Sequence, residues 1–333
     1  AMGHIELARW ADTVLIAPAS ADIMARLAHG LADDLLSTLC LATEAPSAIA
    51  PAMNRIMWSN QATRHNASVL KSRGISMFGP SEGDQACGEV GAGRMLEPLE
   101  LVDRLSAMFS SGKLQEIRVL ITAGPTREAL DPVRYITNRS SGRMGFALAL
   151  SAREAGAEVS LVSGPVAVPC PHGIKRINVE SAQEMYDAVM KEVSGKHIFI
   201  ACAAVSDYRP QNPELHKIKK TRDTLTIELT KNPDIVSTVA GLDPRPFILG
   251  FAAETRDLER YARAKLEEKS LDMIAANLVG ASGSGFDSDF NAIDVFWKQG
   301  GHCSLERAPK IELARQLITI LAERYAASHK TID

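Results

Sequence analysis

Residues 118–165 read RVLITAGPTREALDPVRYITNRSSGRMGFALALSAREAGAEVSLVSGP, and how this stretch folds decides the class of the chain. An apolar run at residues 119–122 leads into glycines. An apolar-periodic helix ending near Glu154 follows, and then a second apolar run at residues 159–162. That is the pattern of a parallel β–α–β unit with a nucleotide-binding turn. The turn is long, however: seventeen residues, 124–140, separate the first run from Ser141, where the helical pattern starts. The helix opens on SSGRMG, in which Gly142 and Gly145 allow close backbone approach. A helix N-terminus also favours a phosphate. A G-x-x-G alone is weak, because glycine at a helix start often serves packing or turn chemistry. The second strand is the sharper test. NAD-binding units place Asp or Glu at its end to hold the ribose hydroxyls, and here it ends LVSGP. An NADPH-dependent Rossmann reductase is therefore the weaker reading, and the insertion looks built to hold something besides a dinucleotide.

Working outward, the same alternation extends over the whole chain. Apolar runs near Arg118, Glu158, His197, Phe247 and Asp272 are of the kind buried in parallel sheets, with helical patterns at 141–154, 182–193, 234–240 and 258–268 between them. A last helix is expected over 311–325, and DTLTIELT (223–230) alternates like a strand with one exposed face. Before residue 110 a smaller α/β block has runs at 13–17, 48–50 and 75–78, helices at 23–28 and 35–41, a third to about Arg73, and a fourth at 97–109. The polar SSGKLQE is the best linker between the blocks.

With 333 residues there is room for two domains, and 46% hydrophobic with 23% charged residues is ordinary for a globular protein. A net charge of −3 gives no general footprint for nucleic acid, so any phosphate site must be local. Five cysteines without a C-x-x-C pair suggest neither a disulfide framework nor zinc, and fit a reducing cytoplasm. No apolar run approaches the ~20 residues that span a bilayer. The chain enters on a helical pattern, HIELARWAD, without the strand that usually opens an α/β domain. We therefore expect the natural chain to begin earlier.

ITAGPTREALDPVRYITNRSSGRMG, ACAAVSDYRP, KIKK, KNPDIV and GFAAET closely resemble the phosphopantothenate–cysteine ligase half of bacterial bifunctional proteins of coenzyme A biosynthesis. HIELARWAD, APASAD, APAMN and QACGEVGAGRM resemble the other half, the flavin-dependent phosphopantothenoylcysteine decarboxylase. The resemblance covers essentially the whole chain. It implies two Rossmann-like three-layer α/β domains: an N-terminally truncated flavoprotein domain at 1–110, a linker at 111–116 and a ligase domain at 117–333. The implied cofactors are FMN and Mg2+ or Mn2+, with CTP as co-substrate. The implied partners are small molecules and further copies of the chain through paired ligase domains, with no nucleic acid and no membrane. A non-enzymatic flavin-binding regulatory subunit is a further alternative, disfavoured by the joint presence of His4, Asn54 and Cys87.

In the family, CTP activates the phosphopantothenate carboxylate as an acyl-cytidylate, and the cysteine amine then displaces CMP. The resemblance implies CTP contacts at Ala201, Cys202, Ala203, Asp207, Lys217, Pro233, Asp234, Ile235, Val236, Phe251, Lys265 and Lys269. The lysines suit charge that grows as pyrophosphate leaves. Asp207 would hold either a divalent ion or the cytosine amino group, and the sequence does not choose. The helix expected after Asn232 and Pro233 suits an anion. Asn138 would serve the second step as the contact of the acyl-cytidylate, and Arg134 and Arg139 are candidates for the substrate phosphate. In the first half, His4 matches the catalytic base, Asn54 the carboxylate binder, Cys87 the proton donor of the final reduction, and Ser20 a flavin contact. Many relatives read Asn-Thr where this chain has Asp22-Ile23, and those two residues receive no role.

Overall fold

The structure, a computed structural model, describes residues 3–84, 88–219, 224–278 and 288–329. It divides into two units, Ala1–Phe109 and Ser110–Asp333. The first unit runs α1 (Gly3–Trp10), β1 (Val14–Ala19), α2 (Ala21–His29), α3 (Leu35–Ala42), β2 (Ser47–Pro51), α4 (Arg55–Ser59), α5 (Gln61–Ser72) and β3 (Ser76–Met77). A hairpin, β4 (Ser81–Asp84) with β5 (Val90–Arg94), and α6 (Pro98–Met108) follow. The three parallel strands lie in the order β1-β2-β3. Alternation along β2 builds the layers: Ile49 packs with Met24, Leu27 and Leu70, whereas Ala48 and Ala50 pack with Phe78, Leu96 and Leu101. Both faces of the strand are thus buried, as a helix–sheet–helix sandwich requires.

In the second unit β6 (Arg118–Ala123) is followed by the hairpin β7 (Arg127–Ala129) and β8 (Tyr135–Thr137). Then come α7 (Arg143–Glu154), β9 (Glu158–Ser163), β10 (Lys175–Asn178), α8 (Ala182–Glu192) and β11 (Ile198–Ala201). A second hairpin, β12 (Tyr208–Pro210) with β13 (Leu229–Lys231), leads to α9 (Ile235–Ala240), β14 (Phe247–Glu254), α10 (Leu258–Glu268) and β15 (Met273–Leu278). The chain ends with β16 (Phe290–Trp297), β17 (Gly301–Pro309) and α11 (Lys310–His329). The sheet has the order β10-β9-β6-β11-β14-β15-β16-β17. Its first six strands are parallel and the last two antiparallel. Taken in chain order, the parallel strands lie 3-2-1-4-5-6, the doubly wound arrangement whose direction reverses between β6 and β11. One core cluster contains Ile121, Ile200 and Leu317, and the other, on the alternate residues of the same strands, contains Leu120, Phe199 and Val239.

Three expectations change. The antiparallel pair β16–β17 adds an edge to the expected parallel strands. The strand read at 223–230 is shorter: residues 224–228 have no regular structure, and the ladder with Tyr208–Pro210 takes in Leu229–Lys231, with one further bond from Gln211 N to Glu228 O at 2.9 Å. Of the SSGRMG glycines, Gly145 serves packing. α7 starts at Arg143, and a Cβ on Gly145 would come 2.5 Å from the Ala123 Cβ, so this position brings the helix onto β6. The long insertion folds as the β7–β8 hairpin, fixed where the buried Glu128 carboxylate accepts from Ala182 N at 3.0 Å.

Candidate functional site

In a doubly wound sheet the crevice lies outside the carboxyl ends of the strands, at the switch point. Here the insertion after β6 and the segment after β11 leave that edge together. Pro125 bridges Ala204, Ala204 N donates to Gly124 O at 2.9 Å, and Ser206 N donates to Thr126 Oγ1 at 3.0 Å. Beside them opens a cavity of about 440 Å³. Ala201, Ala203, Asp207, Pro233, Asp234, Ile235, Val236, Phe251, Lys265 and Lys269 all line it. The fold thus gathers ten of the twelve residues expected at a nucleotide around one space.

Lys265, in the last turn of α10, and Lys269, its C-cap, bring positive charge to the cavity and are held differently. Lys265 Nζ donates to Phe251 O at 2.9 Å, and burial, aided by the neighbouring Lys269 charge, lowers its pKa. Lys269 Nζ donates to Asp234 Oδ2 at 2.6 Å. Asp234 also caps α9, accepting from Ser237 N at 3.0 Å and Ser237 Oγ at 2.8 Å. Burial raises its pKa, but the bonds from Lys269 and Ser237 outweigh that and lower it overall. The helix expected to suit an anion is therefore a six-residue turn whose start already holds a carboxylate.

The two absentees have different causes. Cys202 sits between Ala201 and Ala203, so strand alternation turns it to the opposite core, where burial pushes its thiol up to about 12. Lys217 lies exposed on the segment after β12 and outside the cavity lining. Asn138 is outside the lining but bonded to it, its Nδ2 donating to the carbonyl of the lining residue Val205 at 3.1 Å and to Ala204 O at 3.3 Å. Arg134 is largely committed elsewhere: its Nε donates to Asp131 Oδ2 at 3.0 Å and its Nη2 to Ile218 O at 3.0 Å. Arg139 is exposed and makes no ion pair among the described residues.

Sequence reasoning missed Asn232 and Lys231, which also line the cavity. Asn232 braces the wall: its Nδ2 donates to Ser206 O at 2.8 Å and its N to Asp207 O at 2.9 Å, while Oδ1 accepts from Arg209 Nη1 at 2.9 Å. Its signal was the asparagine before Pro233 in KNPDIV. At the end of β9, where a dinucleotide enzyme needs an acid, a Cβ on Gly164 would lie 1.8 Å from Pro125 O. The insertion therefore packs directly onto the turn after β9.

In the first unit Ser20 and Asn54 follow β1 and β2 at the carboxyl edge of the sheet. Ser20 Oγ caps α2 by accepting from Ile23 N at 3.2 Å. Asn54 caps α4 through Oδ1, which accepts from Ile56 N at 2.8 Å, and its Nδ2 donates to Glu89 Oε2 at 2.8 Å. The same Glu89 oxygen lies 3.3 Å from Arg55 Nε. An amide expected to bind a carboxylate therefore already holds one from the chain. His4 is half-buried on α1, and Cys87 lies outside the described residues. No cluster of three or more His, Cys, Asp or Glu side chains suited to a metal ion occurs among the described residues.

Comparison with known proteins agrees with this architecture. The flavoprotein family's model matches residues 1–110, and that of the DNA/pantothenate metabolism flavoprotein C-terminal domain matches residues 114–325. The coenzyme A biosynthesis bifunctional protein CoaBC of Vibrio cholerae is 60% identical over 326 residues, covering 97% of this chain and 82% of that protein. The CoaBC of Escherichia coli is 53% identical over 331 residues, with 98% and 81% covered. A crystal structure of the C-terminal domain of a CoaBC superposes with a TM-score of 0.55 at 40% identity, covering 64% of this chain and 97% of that one. By sequence over nearly its whole length and by the fold of its second unit, the chain belongs to the CoaBC family of bifunctional proteins of coenzyme A biosynthesis.

Proposed function

We propose that the second unit joins 4′-phosphopantothenate to cysteine at the expense of CTP, and that the first unit decarboxylates the product to 4′-phosphopantetheine. The observation that carries this reading is the cavity at the carboxyl edge of β11 and β14, with Lys265 and Lys269 in its lining and Asn138 bonded to the carbonyl of its lining residue Val205. Lys265 and Lys269 meet the triphosphate, and their charge stabilises the pyrophosphate as it leaves. The pantothenate carboxylate attacks the α-phosphorus, giving the acyl-cytidylate and a good leaving group for the second step. Both amide hydrogens of Asn138 go to backbone carbonyls, and Oδ1 accepts no hydrogen bond among the described residues. That oxygen is suited to accept a hydrogen bond from the attacking cysteine amine and so orient it as CMP departs. Lys217 belongs to the same reading as a charge carried on the neighbouring segment. With few carboxylates in the cavity, Mg2+ or Mn2+ would be held chiefly by the triphosphate, with Asp207 as the one carboxylate not already paired to a lysine.

For the first unit, Ser20 and Asn54 at the carboxyl edge fit a ligand lying across that edge. When bound, FMN supplies the two-electron oxidation and its return. His4 serves as base, Asn54 orients the substrate carboxylate, and Cys87 returns a proton. The reading places the enzyme in the cytoplasm with its ligase units paired. No helix among the described residues is long and apolar enough to cross a membrane.

The test is a single-turnover assay with CTP and 4′-phosphopantothenate, with and without cysteine. Pyrophosphate should appear without cysteine, and CMP only after cysteine is added. In Asn138→Asp the pyrophosphate burst should persist while CMP release slows by about tenfold or more. Absence of CTP-dependent pyrophosphate release would refute the ligase reading.

A further inference from the structure

The turn between β7 and β8 carries a buried carboxylate that neither the cavity nor the steps above use. Asp131 Oδ1 accepts from Val133 N and Arg134 N, each at 2.8 Å, which closes the turn. Its Oδ2 accepts from Arg134 Nε at 3.0 Å and from Ile218 N at 3.1 Å. Arg134 Nη2, paired to the same oxygen, donates to Ile218 O at 3.0 Å. One ion pair thus grips the N–H and the carbonyl of a residue 87 positions from Asp131. The Asp131 side chain is fully buried, and the Arg134 bonds outweigh desolvation to drive its pKa far below the carboxylate range. Charge-assisted bonds of this kind are the strong ones, and a buried carboxylate persists only when so satisfied.

The gripped residue is Ile218, between Lys217 and Lys219, both exposed. Over the described residues 212–219, the hydrogen bonds to the rest of the unit are those of Ile218 and one from Glu214 N to Leu130 O at 2.9 Å. Every one of them ends on the β7–β8 turn. The segment with the two lysines therefore takes its position from this turn, and through it from the same insertion that carries Asn138. We propose that Asp131 is a positioning residue of the ligation: with Arg134 it clamps the Ile218 peptide and so sets Lys217 and Lys219 for the anionic substrates. This rests on the ligase reading for what the lysines meet, but the clamp itself does not. It also explains why Arg134, expected to hold a substrate phosphate, is turned to Asp131.

Asp131→Asn separates the parts. The remaining carboxamide oxygen still accepts from Val133 N and Arg134 N, so the turn can close. The amide nitrogen put in place of Oδ2 cannot accept from Ile218 N or Arg134. In the full chain, hydrogen exchange at the Ile218 amide should accelerate about tenfold or more, while β11 amides keep their protection. Pyrophosphate release should fall in kcat by about 10- to 100-fold, the scale of ångström misplacement. CTP affinity, measured by titration calorimetry, should fall far less than kcat, because Lys265 and Lys269 keep their places in the cavity, a split that general destabilisation would not produce.

Unchanged exchange at Ile218 would overturn the clamp. Faster exchange with wild-type pyrophosphate release would overturn its positioning role while leaving the ligase reading intact. A wild-type protein inactive with CTP would instead fail the ligase reading, and the exchange result would still judge the clamp. Should β11 lose protection in Asp131→Asn, Arg134→Lys carries the test. It keeps a charge for Asp131 but lacks the second donor for Ile218 O, and should show the same changes in smaller degree. If that variant shows neither change, the proposal is overturned.

Discussion

Lys269 Nζ lies 2.6 Å from Asp234 Oδ2, so one of the cavity's three lysines is already neutralised by a carboxylate of the chain. A triphosphate arriving there must compete with Asp234 for Lys269 or accept a cation of reduced charge. Asp234→Asn tests which. Asparagine caps a helix about as well as aspartate, so α9 should survive. Losing the negative charge should tighten CTP binding by about two- to fivefold, a modest gain because both side chains are partly exposed and solvent screens them. The gain should shrink as salt is raised. Titration calorimetry at two ionic strengths measures both. Weaker binding in the variant would show that the Asp234 carboxylate itself serves the nucleotide or its metal.

Lys265 should make nucleotide binding sensitive to alkaline pH. Burial, with the Lys269 charge beside it, lowers its pKa in the folded protein, against the pull of Glu254, Asp207 and Asp234. In the unfolded chain it titrates as an ordinary lysine. Between the lowered value and about 10.4 the unfolded state therefore binds more protons, and the Lys265 contribution to stability rises with pH across that window. Affinity for a polyanion goes the other way. It should fall once pH passes the lowered value, earlier than an exposed lysine would allow, and CTP binding above that point should take up protons. Lys265→Arg stays charged and should flatten the profile. A wild-type affinity constant to about pH 10 would remove Lys265 from contact with the phosphates.

Much of this site was legible because apolar runs marked β6, β9, β11, β14 and β15, and their order along the chain fits a doubly wound sheet. What each loop does once it leaves the sheet was harder to read. Cys202 stood inside a motif with Ala201 and Ala203, yet period-two alternation sends its side chain to the other face. Applied strictly, that rule could have excluded it. Lys217 is only ten residues beyond Asp207 in sequence, but the chain runs out through β12 between them, and nothing in the spacing reports that detour. The β7 and β8 strands are three residues each, too short for a periodic signal, so the insertion read as a loop. Asp131 carried no signal and Arg134 read as a candidate for the substrate phosphate, because the Ile218 peptide they hold lies far along the chain.

The glycines of SSGRMG give the clearest stability prediction. In a helix interior, Gly145→Ala would ordinarily stabilise by about 1 kcal/mol. Here the new methyl would sit 2.5 Å from the Ala123 Cβ and 3.1 Å from its Cα. Ala123 is fully buried in the central strand, so neither partner can retreat without shifting helix or sheet. Overpacking of this kind costs about 1–3 kcal/mol, which exceeds the propensity gain. We expect faster hydrogen exchange at the β6 amides in Gly145→Ala, and partial recovery when Ala123→Gly is added, because the methyl–methyl contact is removed while the contact to the Ala123 Cα remains. The two sites should therefore be non-additive in a double-mutant cycle. If Gly145→Ala alone slows exchange at β6, the helix does not need its close approach to the strand, and the phosphate-loop reading of these glycines would regain its force.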